Sequence, residues 1–445
     1  MSDPAIIPSY WCPRLTLRRG LALVAAFFLC ALAAAASAQE QPEAERAEQA
    51  QTRLDPEIRR LMEELRGLLP DSAQVRRRIL KESPDLYALG MLKVEKANIA
   101  LSQPLPSDYS RQVAVENLSE ATAIWGALGK GERPALKERG RLERAYLARN
   151  DMSPQPYVLY VPEPYDGEEA YGLLVFLHGY VSYLNKANWV ESQYSPALET
   201  LAEEARCIVL MPYARSNTDF QGAGEDDVMR AVREVKARYR IDEDRVFLSG
   251  ISMGGMGVWT IGGHYPHEFA GLIAVASRGD FYMWKGIERA GLPGFKARLA
   301  EGEFGAEMIP SYRNLPCVIV HGLADRLMPI EQSERMYELL AGKGFDVEYA
   351  QVPQATHYSW TELLTRAEVL RCLKEKRRQT APRNIAFRTY TLKYNRAYWC
   401  EITGIEDWGQ AAELTCELDQ AGAGLRVETT NVTGLRLRPP LRLVK

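Results

Sequence analysis

Val246-Phe247-Leu248-Ser249-Gly250-Ile251-Ser252-Met253-Gly254-Gly255 is a short apolar run that ends in Gly-x-Ser-x-Gly-Gly. Val246 to Ser249 reads as a buried strand, and the residues after Gly255 read as a helix. Glycines two positions either side of Ser252 let the backbone turn tightly enough to expose the hydroxyl at a strand–turn–helix corner, where a nucleophile belongs. In a chain with 33 glycines the five-residue pattern alone is weak. Its weight comes from the strand before it and the helix after it.

Further apolar runs flank this corner: Leu173 to Leu177, Cys207 to Met211, Leu272 to Ala276 and Cys317 to Val320, with helical segments between them. Leu142 to Leu147 and Tyr157 to Val161 alternate like two antiparallel strands. Short strands that are apolar on both faces and separated by helices predict a doubly wound, mostly parallel sheet. Ligands of such sheets bind beyond the carboxyl ends of the strands, so functional residues are expected just after each run.

Two of these strand ends carry suitable chemistry. Cys317 to Val320 leads into His321-Gly322-Leu323-Ala324-Asp325, and the strand Val347 to Val352 leads into Pro353-Gln354-Ala355-Thr356-His357. Of the five histidines, His178 and His321 precede a glycine at a strand end, and His264 and His267 lie beyond the helix that follows Ser252. His357 is then the one in chain order and on a suitable loop. In this reading Ser252 is the nucleophile, His357 the general base and then acid, and Asp325 the carboxylate that holds the imidazole in its working tautomer. The plainer reading of Asp325 is a loop residue capping the helix near Glu331. Backbone N–H groups of Met253 and of Tyr180, after His178-Gly179, are the expected oxyanion donors. His178 itself reads as a residue that fixes its loop.

Gly250 to Trp259, with Tyr265-Pro266 and Phe269-Ala270-Gly271 after it, resembles secreted esterases of the polyhydroxybutyrate depolymerase and feruloyl esterase type. The Gly-x-Ser-x-Gly-Gly core is also similar to the catalytic domain of prolyl oligopeptidase family peptidases. The resemblance covers roughly residues 141 to 378. It implies an α/β-hydrolase fold and a cofactor-free Ser-His-Asp hydrolase working through an acyl-enzyme. There are departures: prolyl oligopeptidases carry a β-propeller before this domain, where about 100 helical residues are expected here. Polyhydroxybutyrate depolymerases usually have a cysteine in the oxyanion loop, where this chain has Tyr180.

The flanks are expected to be separate regions. Residues 1–38 have the form of an export signal: Arg14, Arg18 and Arg19, an apolar run from Leu21 to Leu32, and Ala36-Ser37-Ala38 as cleavage site. The apolar run is too short for a membrane span, so the mature protein is expected to be secreted or periplasmic without a stable span. Residues 39–138 are expected to be a helical region, with Asp55 capping a helix opened by Pro56 and striped by Ile58, Leu61, Met62, Leu65, Leu68 and Leu69. The catalytic domain follows at 139–380. Residues 381–445 alternate like a small β-sandwich-like domain. Its Tyr394, Tyr398, Trp399 and Trp408 read either as a carbohydrate platform or, the favoured reading, as core and interdomain packing. Ser277 to Glu303 reads either as a roof over the pocket or as a solvated loop.

The formal charge is −3, and removal of residues 1–38 leaves −5, so the chain lacks the basic footprint of a nucleic-acid binder. No CxxC pair or clustered His/Cys set points to a metal, and no cofactor is expected. Five cysteines would remain after export. Cys207 and Cys317 read as small buried hydrophobes, while Cys400 and Cys416 average to a turn near 408 and are expected to pair across adjacent strands. Three functions fit: a hydrolase of small-molecule or polymer-linked carboxylic esters, a serine peptidase of the prolyl oligopeptidase clan, and an inactive binding protein on the same scaffold. The sequence leaves the oligomeric state open.

Overall fold

The structure is a computed structural model that describes residues 55–102, 107–420, 422 and 424–443. The expected export signal, residues 1–38, lies outside the described residues. The chain divides into two compact units, residues up to 135 with 145–155, and residues 136–144 with 156–445.

The first unit is helical: α1 (Pro56–Leu68), α2 (Ala73–Glu82), α3 (Pro84–Leu101) and α4 (Asp108–Gly129). Asp55 caps α1 by accepting from the Glu57 N–H at 2.9 Å, and its other oxygen takes Arg111 Nε of α4 at 2.6 Å. Helices α3 and α4 cross closely because Gly90 faces Trp125. A Cβ there would lie 2.8 Å from the indole Nε1.

In the second unit an eight-stranded sheet has the order β1-β2-β4-β3-β5-β6-β7-β8. The strands are β1 (Gly140–Leu147), β2 (Pro154–Val161), β3 (Tyr171–Leu177), β4 (Cys207–Pro212), β5 (Ile241–Ile251), β6 (Gly271–Val275), β7 (Cys317–Gly322) and β8 (Val347–Val352). β2 runs antiparallel to β4, whereas every neighbouring pair from β4 to β8 is parallel. β3, β4 and β6 are buried along their whole length, which is why they read as unbroken apolar runs. The helices threaded between strands include α5 (Pro196–Ala205), α6 (Ala223–Arg238), α7 (Met253–His264), α8 (Gly294–Glu301), α9 (Glu331–Ala341) and α10 (Ala367–Glu375). This is the α/β-hydrolase arrangement.

The chain then forms two three-stranded sheets: β10 (Arg396–Ala397), β11 (Cys400–Ile405) and β14 (Val432–Leu437) in one, and β13 (Leu425–Thr430), β12 (Ala412–Leu418) and β9 (Asn384–Thr389) in the other. Ile385, Phe387, Trp399, Ile402 and Leu414 fill the space between them. Two details depart from the sequence reading. Cys400 and Cys416 sit on strands of different sheets, so they meet across the sandwich rather than across a hairpin; their sulfurs are 3.4 Å apart and unbonded. The alternation of Leu425 and Val427 faces no core. β13 is an edge strand, exposed throughout.

Candidate active site

Ser252 sits between β5 and α7 at φ 55° and ψ −112°, a left-handed corner that a serine adopts only under constraint from its surroundings. Its N–H donates to Val275 O at 3.0 Å, and its carbonyl accepts from Met256 N–H at 3.1 Å. The glycines around it are steric requirements. A Cβ on Gly254 would stand 2.0 Å from Leu177 O, and one on Gly250 would stand 2.4 Å from Gly254 O. Close passage of the elbow beside the end of β3 therefore fixes both positions.

Asp325 follows β7 and His357 follows β8, so both lie at the same carboxyl edge of the sheet as Ser252. His357 Nδ1 and Asp325 Oδ2 are 2.7 Å apart. The other carboxylate oxygen accepts from Leu327 N–H at 2.8 Å and Met328 N–H at 2.9 Å. The Asp325 side chain is fully buried, whereas the His357 ring keeps partial access to solvent. That asymmetry suits an orienting carboxylate behind a working imidazole: the acid is fully hydrogen-bonded, and the ring edge stays reachable.

Three supports of this pair were not read from the sequence. His321 Nε2 lies 3.4 Å from Asp325 Oδ2 and 3.1 Å from Met328 O, while its Nδ1 lies 2.7 Å from Ser333 Oγ. Burial pushes the His321 pKa down, against the pull of Asp325. Gly322 lets the Asp and His loops touch, since a Cβ would meet Ala355 O at 2.1 Å. Thr356 and Ser359 form a capping box around the one-turn helix that carries His357. The spacing of His321 and Asp325, four residues apart, was the available signal for the first.

Met253 is the first residue of α7, where backbone N–H groups have no intrahelical acceptor. Among the described residues no protein group accepts from the N–H of Met253 or of Tyr180, whereas the intervening Gly179 N–H is held by Gln193 Oε1 at 2.9 Å. His178 is buried, with Nδ1 2.9 Å from Gly179 O and Nε2 3.1 Å from Tyr213 O, so it braces the loop. In the segment from Ser277 to Glu303, Arg278 pairs with Asp219 at 2.8 Å and lies over the Trp284 ring, and Tyr282 donates to Glu301 at 2.9 Å. Large apolar side chains stand exposed along the same edge: Tyr180, Leu323, Leu327 and Tyr358.

The sheet, the elbow and the buried His–Asp pair define a class, the serine hydrolases of the α/β-hydrolase fold. Within it, residues 214–374 match the prolyl oligopeptidase family. The chain is 26% identical over 176 residues to the uncharacterized protein YfhR of Escherichia coli K12, a match spanning 39% of this chain and 59% of that one. It is 26% identical over 218 residues to the uncharacterized peptidase YuxL of Bacillus subtilis 168, across 44% of this chain and 32% of that one. The chain thus spans less than two thirds of the length of these relatives. A solved thermostable esterase superposes with a TM-score of 0.40 at 23% identity, over 54% of this chain and 63% of that one.

Proposed function

We propose that the protein is an exported carboxylic-ester hydrolase in which Ser252, His357 and Asp325 form an acyl-transfer triad. The observation that carries this reading is the 2.7 Å bond between His357 and a fully buried Asp325, at the same sheet edge as the strained Ser252 elbow. Ser252 Oγ attacks the ester carbonyl as His357 Nε2 removes its proton. The tetrahedral oxyanion is received by the N–H groups of Met253 and Tyr180. His357 then gives the proton to the leaving alcohol, and an acyl-enzyme remains. Water, activated by the same imidazole, releases the acid and restores the hydroxyl. Asp325 holds Nδ1–H of the ring throughout.

Both esters and amides fit this chemistry. Esters are favoured because an alkoxide leaves with less help from His357 than an amine does, and exposed Tyr180, Leu323, Leu327 and Tyr358 supply apolar surface for an acyl chain. The family match over residues 214–374 favours a second reading, a serine peptidase of the prolyl oligopeptidase clan. A side-by-side panel of short nitrophenyl esters, feruloyl esters and proline-containing peptide amides separates them. The expected result is a higher kcat/KM for an ester; a higher value for a peptide amide ends the ester reading and leaves the triad standing.

A further inference from the structure

A cavity of about 230 Å³ lies where the catalytic domain meets the C-terminal β domain, lined by α8 and the residues after it, by Thr389 to Tyr394, and by Trp408 in the turn between β11 and β12. It is not the acyl-transfer site. His264, on its wall, is the last residue of α7, and Ser252 precedes the first, so the two are about 18 Å apart along the helix.

Part of the wall is rigid. His264 Nδ1 is 2.7 Å from Glu225 Oε1 and its Nε2 is 2.7 Å from Gly302 O. The ring of Tyr394 stacks on that of His264 at 3.6 Å and 7°, and its hydroxyl donates to Glu225 Oε2. These groups satisfy one another. The rest of the lining is unspent. Trp408 is 49% exposed and Leu299 66% exposed. Among the described residues the Arg298 guanidinium makes no hydrogen bond or ion pair, though it lies close enough to Asp407 to interact with its charge, and Glu303 has a buried carboxylate oxygen without a hydrogen-bond partner. Tyr390 is half-buried beside them with no hydrogen bond from its hydroxyl among the described residues.

We infer that this cavity binds one neutral sugar ring. A saccharide ring pairs an apolar C–H face with an edge of hydroxyls that donate and accept, and the lining offers both complements. Trp408 contributes a half-exposed indole to the lining. Arg298 offers donors only, and the Glu303 carboxyl offers an acceptor and, when protonated, a donor, so together they suit vicinal hydroxyls; with Asp407 near Arg298 the wall makes no demand for an ionic ligand. The volume sets the size: pockets for drug-sized molecules run to roughly 300–1,000 Å³, so this one takes a single terminal or branch unit. Bound there, a glycan would be tethered to the β domain while the ester-cleaving edge remains free.

The test is titration of the full-length protein with glucose, galactose, xylose and arabinose, and with choline as the cationic control, read by calorimetry and tryptophan fluorescence. At least one sugar is expected to bind with a Kd on the order of 1 mM, and Trp408→Ala and Arg298→Met are each expected to weaken it by about tenfold or more. Labelling of Ser252 by a fluorophosphonate, unchanged in both variants, shows that they fold, and it reads the acyl-transfer proposal separately from this one. Failure of every sugar to bind up to about 50 mM, binding of choline alone, or sugar binding that survives both substitutions overturns the assignment.

Discussion

Two histidine–carboxylate pairs stand at opposite ends of α7 with the same 2.7 Å separation, His357–Asp325 at the Ser252 end and His264–Glu225 at the other. The bond does not distinguish them, but the surroundings do. His357 keeps a partly exposed ring on a short capped turn after β8, at the sheet edge that also carries the elbow. His264 is buried, Glu225 is fully buried, and the stacked Tyr394 covers the ring face. The first ring edge is reachable, whereas the second is hydrogen-bonded at both ring nitrogens and ties α6, α7 and the β domain together. In the proposed mechanism, function follows from access and from Ser252 at the same sheet edge, not from the pair itself.

Exchanging the acids breaks the comparison most sharply. Asp325→Asn is expected to cut ester turnover by about 10⁴-fold while the protein stays folded, because the amide favours the wrong imidazole tautomer. Glu225→Gln should leave the kcat of whatever folds within a few-fold and act instead on the melting temperature. Similar kinetic losses in both variants would erase the distinction. A smaller effect is expected at His321, which positions Asp325 through Met328 and its own edge. His321→Ala should lower kcat by up to about 100-fold, the scale of a slight misplacement of a catalytic group, with the pH profile altered and KM little changed. Wild-type kinetics would make His321 merely a core residue.

The far end should betray itself through pH. Burial raises the Glu303 pKa to about 7, against the pull of His264, and this exceeds its unfolded value. A group with a raised folded value contributes stability below its unfolded pKa and loses it as pH rises through the folded one. His264 acts in the same direction: burial lowers its pKa, but the charge and hydrogen bond of Glu225 outweigh that and leave it raised. Stability should therefore fall between about pH 4.5 and pH 7 through Glu303 and continue to fall above about pH 6.5 through His264, by a few kcal/mol at most for Glu303. Glu303→Gln should flatten that slope, as read by melting temperature at pH 5 and pH 8. An unchanged slope would remove Glu303 from the account.

The fully buried strands were legible because burial on both faces leaves no polar residue to interrupt the run, and the elbow was legible because close backbone approach admits only glycine at 250 and 254. The far pair was not. Glu225 and His264 are 39 residues apart, and His264 looked idle because its partners come from α6, the loop after α8 and the β domain. Of the four aromatics singled out in the β domain, Tyr394, Tyr398 and Trp399 are buried, while Trp408 stays half exposed. Alternation alone cannot make that division, since it gives the faces of a strand and not which face another layer covers. Cys400 and Cys416 were misplaced for the same reason: midpoint arithmetic assumes a hairpin, and the chain crosses between sheets instead.

The central claim is that Ser252 is the nucleophile. Reaction of the full-length protein with a fluorophosphonate, followed by intact-mass and peptide mass spectrometry, measures it directly. The expected result is one adduct per chain on the peptide carrying Ser252, absent in Ser252→Ala and slowed in Asp325→Asn. An adduct on another residue, or none in a protein that hydrolyses esters, would contradict it.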